Sequence, residues 1–416
     1  MQSLTRGQYK TLGLSSLGGV LEFYDFIIFV YFTNVISTLF FSPDMPEWLR
    51  QLQTYGLFAV GYFCRPLGGI IMAHFGDIKG RKKVFIFSIF LMTIPTFAIG
   101  FMPTYSQIGI WAPILLLVCR MMQGAAIGGE APGAWVFVAE HVHPRHVSFA
   151  CASLTAGLTG GIFVGAVITT FINSNYTPAE ILGGVWRYPF ILGGVFGVIA
   201  FFLRQWLQET PVFKSIHKKL SKKEIPLKQV LLFHKSSVFL SALISWVLAA
   251  TIVTMILMTP ALFQKLFKVP AQTALQANIF ATLCLTFGCL VFGALADFFG
   301  RGKVLAIGCL GLIVTSILLY QQTQISYENI LFFYGLNGFF VGVIGIIPSI
   351  ATMSFPPKVR FSGLSFSYNV TYAIFGGLTP IFVSLLIPYS LIAPAYYVSA
   401  LACLGFVVGT YLAVKK

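Results

Sequence analysis

Charged residues are scarce in this chain, and acidic residues are the scarcest. Only 9% of the 416 residues are Asp, Glu, Lys or Arg, with 12 acidic against 27 basic side chains, whereas a soluble domain carries about 25% charged residues. Hydrophobic residues make up 57% of the chain, so too few polar side chains remain to cover a water-soluble fold of this length. The composition argues against a soluble enzyme, a nucleic-acid-binding domain and a disordered protein.

Motifs of enzymes and metal sites are also missing from the sequence. The seven cysteines lie in apolar runs and none forms a Cys-x-x-Cys pair, so we predict core-facing or lipid-facing residues and not disulfides or metal ligands. The sequence contains no Walker lysine motif, no His-Glu-x-x-His motif and no catalytic triad that we recognise. We therefore predict that the protein is not an enzyme, binds no metal and is not driven by ATP.

Long apolar runs are abundant, and a helix needs about 20 such residues to cross a bilayer. The first run is too long for the core of a signal peptide and contains acidic residues, so we predict a retained span. The predicted fold class is an all-α polytopic membrane protein. Its twelve predicted spans cover about residues 14–40, 51–75, 84–102, 108–131, 148–172, 183–205, 237–260, 273–296, 303–321, 328–352, 362–388 and 391–413.

The basic residues lie mainly on one side of these spans. Twenty-one of the 27 Lys and Arg residues fall in predicted loops on the side of the N-terminus, and three fall on the opposite side. Because cytoplasmic loops carry an excess of Lys and Arg, both termini are predicted to be cytoplasmic. The net charge of +15 therefore reflects orientation in a membrane and not nucleic-acid binding.

A polar segment at residues 206–235 divides the chain into two parts. We interpret it as a cytoplasmic amphipathic linker between an N-terminal six-helix bundle, residues 1–205, and a C-terminal six-helix bundle, residues 236–416. The lysines of the linker either contact anionic lipid headgroups or form a solvated loop that sets the topology.

An internal repeat relates the two predicted bundles. Residues 76–84 match residues 296–304 at a constant offset of 220, and residues 144–165 match residues 356–377 at an offset of 212. Both copies of each motif fall on the same predicted membrane face, as expected for parallel repeats with an even number of spans in each half. Such repeats are typical of rocking-bundle transporters with a binding site near the midplane.

An ordered set of motifs carries a family resemblance. The motifs are Leu21-Glu22-Phe23-Tyr24-Asp25-Phe26, Arg65-Pro66-Leu67-Gly68-Gly69, Gly76-Asp77-x-x-Gly80-Arg81-Lys82, Arg120-x-x-Gln123-Gly124, Gly128-Gly129-Glu130, Trp186-Arg187-Tyr188-Pro189-Phe190, Val359-Arg360, Tyr368-Asn369 and Phe375-Gly376-Gly377. On these motifs the sequence resembles the major facilitator superfamily and, within it, the metabolite:proton symporter family, which includes carriers for 2-oxoglutarate, citrate, shikimate and proline/betaine. The resemblance implies two pseudo-symmetric bundles of six helices. The sequence departs from the family at Val147, where an arginine is usual, and at Pro132, where glycine is frequent.

Five charged residues lie within the predicted spans, where charge is costly and usually functional. They are three acids, Glu22, Asp25 and Glu130, and two bases, Arg65 and Arg120. One carboxylate is therefore in surplus and is expected to take up a proton. In the related proton-coupled sugar carriers an acid of the first span pairs with an arginine of the fourth, which implies a pair of Asp25 with Arg120. Glu22 and Glu130 are alternative proton sites, and a purely structural ion network is the other interpretation.

Arg120 is also a candidate substrate-binding residue, because a guanidinium holds a carboxylate through two hydrogen bonds. Aromatic and amide side chains can shape the pocket, and aromatic faces can hold a quaternary ammonium. For each aromatic residue, core packing is the competing interpretation. The further candidates for substrate binding are Tyr24, Trp246, Asn337, Tyr368, Asn369 and Tyr372.

The two Asp-x-x-Gly-Arg loops are predicted to act as a conformational latch. The resemblance implies that Asp77 caps the N-terminus of a neighbouring helix and that Arg81 binds acidic groups across the interface of the halves. Glu140 and Glu209 are the expected partners, and the second loop is expected to act less completely. The predicted latch residues are Gly76, Asp77, Gly80, Arg81, Glu140, Asp297 and Arg301.

These features predict a symporter that imports a small organic acid or zwitterionic metabolite by alternating access. The expected energy source is the proton gradient, and no cofactor is expected. The resemblance implies a monomer in the bacterial cytoplasmic membrane, in contact with lipid. Two alternatives stay open, namely a proton-independent facilitator or exchanger and a non-transporting sensor on the same fold.

Overall fold

The computed structural model describes residues 4–216 and 226–415, which form helices and connecting turns with no strand among them. Twelve of the helices are long and apolar enough to cross a membrane, which confirms the predicted fold class. They are α1 (Arg6–Tyr31), α2 (Glu47–Lys79), α3 (Arg81–Phe101), α4 (Trp111–His141), α5 (Pro144–Asn175), α6 (Arg187–Gln205), α7 (Lys235–Phe267), α8 (Ala271–Phe299), α9 (Arg301–Ile325), α10 (Ile330–Met353), α11 (Arg360–Leu386) and α12 (Ala393–Val414). Shorter helices are Thr33–Leu39, Tyr105–Ile108, Pro178–Glu180, Pro211–Ile216 and Pro226–Phe233.

Several helices extend beyond the predicted apolar runs. The fourth predicted span ends at residue 131, yet α4 continues through Pro132 to His141. A membrane helix tolerates a proline because neighbouring helices can satisfy the backbone groups that the proline leaves without a partner. An apolar run also marks only the part of a helix that lies in lipid, so helical turns that extend into water are missing from the predicted spans. The first predicted span divides at Phe32 into α1 and the short helix Thr33–Leu39.

The even number of spans places both described chain ends on one side of the bundle, here called the terminal face. The opposite side is called the far face. The turns that join α2 to α3, α4 to α5, α8 to α9 and α10 to α11 lie on the terminal face. Part of the predicted linker, residues 217–225 with four of its lysines, lies outside the described residues, and its contact with lipid stays a prediction.

The most extensive contacts between the first six and the last six spans are made by two pairs of helices. α2 packs against α11, and α5 packs against α8. The approach is close near the terminal face, since a Cβ atom added at Gly69 would lie 2.4 Å from the Asn369 side chain and one at Gly293 would lie 2.4 Å from Ala152. The structure therefore joins the two halves on the terminal side.

Glycines bring the backbones of α2 and α4 into contact. A Cβ atom at Gly124 would lie 2.1 Å from the carbonyl oxygen of Gly61, and one at Gly128 would lie 2.0 Å from that of Arg65. No side chain fits in such a space, so the glycines set the separation of the two helices. This contact holds Arg65 and Arg120 on helices that touch.

Candidate functional site

Arg65 of α2 lies in a cage of three tyrosine rings, here called the tyrosine cage. The guanidinium carbon lies 5.4 Å from the ring centre of Tyr62, 5.5 Å from that of Tyr368 and 4.5 Å from that of Tyr372. Nη2 of Arg65 donates a hydrogen bond of 3.4 Å to the Tyr368 hydroxyl. Because Tyr62 belongs to α2 and the other two tyrosines to α11, both halves of the chain build the cage.

The cage surrounds a buried positive charge that has no carboxylate partner among the described residues. Arg65 is only 2% exposed. The five ion pairs of the described chain do not include it, and its Nε atom has no hydrogen-bond partner there. An uncompensated buried charge is unfavourable, and a guanidinium presents a rigid fork of donors that matches a carboxylate. The cage is therefore suited to receive an anionic group between the halves.

A second buried arginine lies close to this cage. Arg120 of α4 packs over Phe26 at 4.8 Å and over Phe29 at 4.1 Å, measured to the ring centres. Its Nη1 atom donates a hydrogen bond of 2.9 Å to Oε1 of Gln123. The Phe26 ring also contacts the Tyr62 ring, with centres 5.8 Å apart. Aromatic contacts thus connect the two arginine environments.

The ion pairs found among the described residues do not include the expected pair of Asp25 with Arg120. Asp25 is fully buried beside Thr96 of α3 and Gly193 of α6. Oγ1 of Thr96 accepts a hydrogen bond of 2.9 Å from Gln123, the residue that binds Arg120. Two polar side chains therefore separate the charges, because Asp25 faces α3 and α6 whereas Arg120 packs on the phenylalanines of α1.

Arg204 binds the two other intramembrane acids. Its Nη2 atom contacts Oε2 of Glu22 and lies 2.8 Å from Oε1 of Glu130. Its Nη1 atom donates a hydrogen bond of 2.6 Å to the Phe85 carbonyl, and its guanidinium lies 3.4 Å from the centre of the Phe85 ring. All three charged side chains are buried. One cation serves two carboxylates, so this Glu22–Arg204–Glu130 cluster has one negative charge in excess when both acids are ionised.

The role of Arg204 corrects the charge balance inferred from sequence. The twenty-one Lys and Arg residues counted there as loop residues include Arg204, and this count left three acids against two bases within the spans. The structure adds Arg204 to the buried set, so the whole set is balanced and the excess carboxylate is local to the cluster. The available signal was the position of Arg204 inside the sixth predicted apolar run, where a charge requires a buried partner.

A small cavity adjoins the cluster. Its volume of about 10 Å³ is close to the space that one water molecule requires. Oε1 of Glu22 and Oε2 of Glu130 have no hydrogen-bond partner in the described part of the chain. The residues that line the cavity are Glu22, Phe23, Ile127, Glu130, Ala131 and Leu158.

On the terminal face, Asp77 of α2 caps the first turn of α11. Its Oδ2 atom accepts a hydrogen bond of 2.9 Å from the backbone N–H of Ser362, and a negative charge is favourable at a helix N-terminus. The prediction specified a neighbouring helix, and the helix that Asp77 caps belongs to the other half. Gly76 permits this approach, because a Cβ atom there would lie 2.3 Å from the Phe361 ring.

Of the two expected carboxylate partners of Arg81, the structure places Glu140 beside the guanidinium and Glu209 elsewhere. Arg81 pairs with Asp77 at 3.2 Å and with Glu140 at 3.3 Å, and all three residues belong to the first half. Its contact with the other half is a hydrogen bond of 2.9 Å to the Pro357 carbonyl. Among the ion pairs of residues 4–216 and 226–415, the one that crosses the halves joins Glu140 to Arg360 at 3.3 Å. Arg360 belongs to one of the motifs that carry the family resemblance, and no role was expected for it.

Glu209 caps the N-terminus of α3. Its two carboxylate oxygens accept hydrogen bonds of 3.1 Å from the backbone N–H groups of Arg81 and Lys82. Gly80 precedes this helix with φ = 111°, a conformation that favours glycine. A Cβ atom at Gly80 would also lie 2.4 Å from a Glu209 oxygen. Glu209 is thus a partner of the loop backbone and not of the Arg81 guanidinium.

The second loop repeats the cap with fewer contacts. Asp297 accepts hydrogen bonds of 2.9 Å from the backbone N–H groups of Ser148 and Phe149, at the start of α5. Arg301 donates to the Ser148 hydroxyl at 3.0 Å and to the Pro144 carbonyl at 3.3 Å. No ion pair forms at this loop among the described residues. The two repeats therefore cap helices of opposite halves reciprocally.

This geometry agrees with comparisons to known proteins. The model of the Major Facilitator Superfamily matches residues 27–380. The chain belongs to the Major Facilitator Superfamily. It is 31% identical to the proline/betaine transporter of Escherichia coli (strain K12) over 418 residues, which cover 96% of this chain and 82% of that protein. It is also 31% identical to the glycine betaine/proline/ectoine/pipecolic acid transporter OusA of Dickeya dadantii (strain 3937) over 422 residues, covering 97% and 83%.

A solved structure of this superfamily has the same fold. The proton:xylose symporter XylE of E. coli, bound to 6-bromo-6-deoxy-D-glucose, superposes with a TM-score of 0.80 and 15% identity, covering 97% of this chain and 94% of that one. At this identity the likeness concerns the fold. The family match and the names of these relatives show that this major facilitator protein is a multi-pass membrane transporter and not an enzyme.

Two predicted substrate residues of this major facilitator chain have partners within one half. The Tyr24 hydroxyl donates a hydrogen bond of 2.9 Å to the Pro189 carbonyl of α6. Asn337 donates a hydrogen bond of 3.0 Å from Nδ2 to the Ser316 hydroxyl of α9. Both side chains are fully buried, and their hydrogen-bond partners are not residues of the tyrosine cage.

The two remaining predicted substrate residues lie on α11, which packs against the first half, and on α7, which packs against α11. Asn369 of α11 donates a hydrogen bond of 2.6 Å to the Gly128 carbonyl of α4, across the halves. Trp246 of α7 stacks on Phe375 of α11 with ring centres 4.0 Å apart. Of the six predicted pocket residues besides Arg120, Tyr368 and Tyr372 are the two that the structure brings to Arg65.

Proposed function

We propose that this transporter is a proton-coupled symporter for a small zwitterion with a carboxylate group, of the proline or betaine kind. The observation that carries the proposal is the environment of Arg65, a buried cation that both halves enclose and that has no carboxylate partner among the described residues. The two 31% identical relatives, named for proline and betaine transport, support this class of substrate.

In the proposed complex, the substrate carboxylate binds the guanidinium fork of Arg65, and Arg120 adds a second positive charge nearby. The faces of the tyrosine rings interact favourably with the ammonium end of a zwitterion. Since Tyr62 lies in the first half and Tyr372 in the second, a bound substrate contacts both halves. This is the arrangement that alternating access by rocking bundles needs.

The Glu22–Arg204–Glu130 cluster is the proposed proton site. A proton on either glutamate cancels the negative charge in excess, and the adjacent cavity of about 10 Å³ supplies space for the water that would deliver it. The cluster connects α1, α4 and α6, so its charge state affects how three helices of the first half are held together. Asp25, buried without an ion-pair partner among the described residues, is the second candidate.

We place the terminal face in the cytoplasm of a bacterium, with the chain in the cytoplasmic membrane as a monomer. The excess of Lys and Arg in the loops of this face supports the orientation. The Asp77 cap and the Glu140–Arg360 ion pair then close the cytoplasmic side. Substrate and proton enter from the far face, and the proton gradient drives uptake.

The decisive experiment reconstitutes the full chain in liposomes and measures uptake of labelled proline, glycine betaine and citrate, with and without an inward proton gradient. We expect accumulation of a zwitterion that requires the gradient and stops on addition of a protonophore. The Arg65→Gln variant is expected to lose this uptake. Lys265→Gln, which removes one exposed positive charge at the far face, is expected to retain it.

Each other outcome contradicts part of the proposal. Uptake that ignores both the gradient and the protonophore would indicate a facilitator or exchanger. Accumulation of citrate without the zwitterions would indicate a carrier of organic acids. A correctly folded chain that binds a zwitterion without moving it across the membrane would indicate a sensor.

A further inference from the structure

A cavity of about 420 Å³ opens on the terminal face between the two halves, apart from the tyrosine cage. The first residues of α5 form its first-half side, and the α8–α9 turn and the end of α12 lie on its second-half side. Three basic side chains, Arg145, Arg301 and Lys303, line this cavity together with one acid, Asp297. The lining is therefore cationic.

The single acid does not neutralise the three bases. Both oxygens of Asp297 accept backbone N–H groups at the start of α5, each at 2.9 Å. No ion pair joins Arg145, Arg301 or Lys303 to a carboxylate within the described ranges. Arg301 is held in place by its hydrogen bonds to the Ser148 hydroxyl and the Pro144 carbonyl, so its positive charge is fixed at the cavity wall.

The N-terminus of α9 contributes backbone donors to the same wall. The first N–H groups of a helix have no partner within the helix, and those of Arg301, Gly302 and Lys303 form no hydrogen bond with another described residue. The residue before the helix is Gly300, which has no side chain to accept such bonds, and the first turn contains no acidic residue.

The internal repeat shows what the equivalent helix end holds in the first half. At an offset of 220, Arg301 and Gly302 correspond to Arg81 and Lys82, whose N–H groups hold the carboxylate of Glu209 at 3.1 Å. A Cβ atom at Gly80 would collide with that carboxylate, whereas one at Gly300 would meet no atom within 4 Å. The same helix end thus binds an anion of the chain itself in the first repeat and faces an open cationic cavity in the second.

We infer that the cavity on the terminal face is a binding site for a phosphate group. Two phosphate oxygens would bind the N–H groups of Arg301 and Gly302, and the remaining oxygens would face the side chains of Arg145 and Lys303. Because Arg145 belongs to the first half and the others to the second, a bound phosphate links the halves. If the chain works by the proposed alternating access, occupancy of this site favours the conformation that is closed on the terminal face.

The phosphate has two sources that an experiment can distinguish. Phe298 and Phe299 at the α8–α9 turn are 66% and 56% exposed, which places the cavity next to the lipid and fits a phospholipid headgroup. A free phosphate in solution has the same chemistry. The purified full chain in detergent is therefore tested with dioleoyl phosphatidic acid against dioleoylglycerol, and separately with inorganic phosphate against chloride at equal ionic strength.

The test variant is Arg145→Gln/Lys303→Gln, which removes two exposed charges that have no ion-pair partner among the described residues. Its matched control is Lys228→Gln/Lys358→Gln, which removes two exposed charges from the same face but outside the cavity. Native mass spectrometry measures lipid binding, and the shift of the thermal unfolding midpoint measures phosphate binding. We expect binding to weaken by about tenfold or more in the test variant and to stay unchanged in the control.

Binding should also slow hydrogen exchange in residues 142–148 of the unsubstituted chain, because the phosphate links this turn to α9. Binding of the lipid alone identifies a headgroup site, and binding of both probes adds free phosphate. The inference is overturned if neither probe binds, if dioleoylglycerol binds as well as phosphatidic acid, or if the control loses as much affinity as the test variant. If the double variant does not fold, the same binding measurements are made with Arg145→Gln alone. No transport is measured, so failure here is separate from failure of the proposed function.

Discussion

Oε1 of Glu140 lies 3.3 Å from Nη1 of Arg360, and this ion pair joins α4 of the first half to α11 of the second. Glu140 also binds Arg81 at 3.3 Å and accepts a hydrogen bond of 2.7 Å from the Thr210 hydroxyl. Glu140 is 3% exposed and Arg360 is 8% exposed. Removing one member of a buried pair costs about 3–5 kcal/mol, because the other charge is left uncompensated. Under the proposed alternating access, this ion pair is a contact on the terminal face that must break when that face opens.

The Glu140→Gln variant is expected to open the terminal face. Two arginines lose their shared anion, and a change of about 3 kcal/mol shifts an equilibrium more than a hundredfold. Spin labels at positions 83 and 358, which are exposed on opposite halves, measure the separation by pulsed electron paramagnetic resonance. The distance distribution should move to longer values.

The control for this measurement is Glu328→Gln, an exposed acid on the far face, and it should leave the distances unchanged. A Glu140→Gln distribution identical to that of the unsubstituted chain would show that the ion pair does not hold the two halves together.

Asp77→Asn is expected to lower the rate of transport without lowering the amount of protein in the membrane. The amide oxygen can still accept the Ser362 N–H, but the charge that interacts with the helix N-terminus, worth about 0.3–2 kcal/mol, is gone. Asp297→Asn should have a smaller effect, since its loop has fewer contacts. Initial uptake is measured relative to membrane abundance, and a loss of abundance equal to the loss of uptake would point to a folding role instead.

Glu22→Gln and Asp25→Asn separate the two proton-site candidates. The variant that removes the proton site should lose accumulation driven by a pH gradient and keep exchange of substrate at equal pH, because binding and rocking remain possible. We expect this pattern for Glu22→Gln, since Glu22 shares Arg204 with a second acid. Full gradient-driven uptake in Asp25→Asn would exclude Asp25 as the proton site. Full uptake in both variants would contradict the assignment of the proton site to the cluster, unless Glu130→Gln alone abolishes gradient-driven uptake.

Arg65→Lys is expected to raise the KM for a zwitterionic substrate by about tenfold or more, because lysine keeps the charge but loses the fork of donors, and hydrogen bonds to charged groups contribute about 1.5–3 kcal/mol. Initial uptake rates over a range of substrate concentrations provide the measurement. Arg50→Lys, the same change at the start of α2, should leave the KM unaltered. An unchanged KM in Arg65→Lys would exclude a carboxylate contact at the cage.

Gly128→Ala is expected to destabilise the protein strongly. The new Cβ atom would lie 2.0 Å from the Arg65 carbonyl oxygen, so α2 and α4 must separate. Gly13→Ala is the matched control, because a Cβ atom there meets nothing within 4 Å, and alanine in a helix is favoured over glycine by about 1 kcal/mol. Thermal unfolding in detergent should show a lower midpoint for the first variant and an equal or higher one for the second. Equal midpoints would contradict the close contact of the two helices.

The sequence by itself determined the number of spans, the shared side of the chain ends, the repeated loops and the family. These features depend on local composition, because hydropathy adds up over about 20 residues of one helix. It also identified most of the buried charges, Glu22, Asp25, Arg65, Arg120 and Glu130. A charged residue within an apolar run can be recognised from the sequence even when its contacts are unknown. The cap of Asp77 on a neighbouring helix followed from the family resemblance.

Only the tertiary structure decided which of these charges meet. In a helix of 3.6 residues per turn, one position changes the direction of a side chain by about 100°, so sequence spacing does not tell which neighbouring helix a residue faces. Asp25 therefore lies apart from Arg120, Glu22 and Glu130 share Arg204, and Glu140 binds Arg360, which is 220 residues away. The tyrosine cage has the same origin, because Arg65 and Tyr368 are 303 residues apart in the chain and meet only when α2 packs against α11.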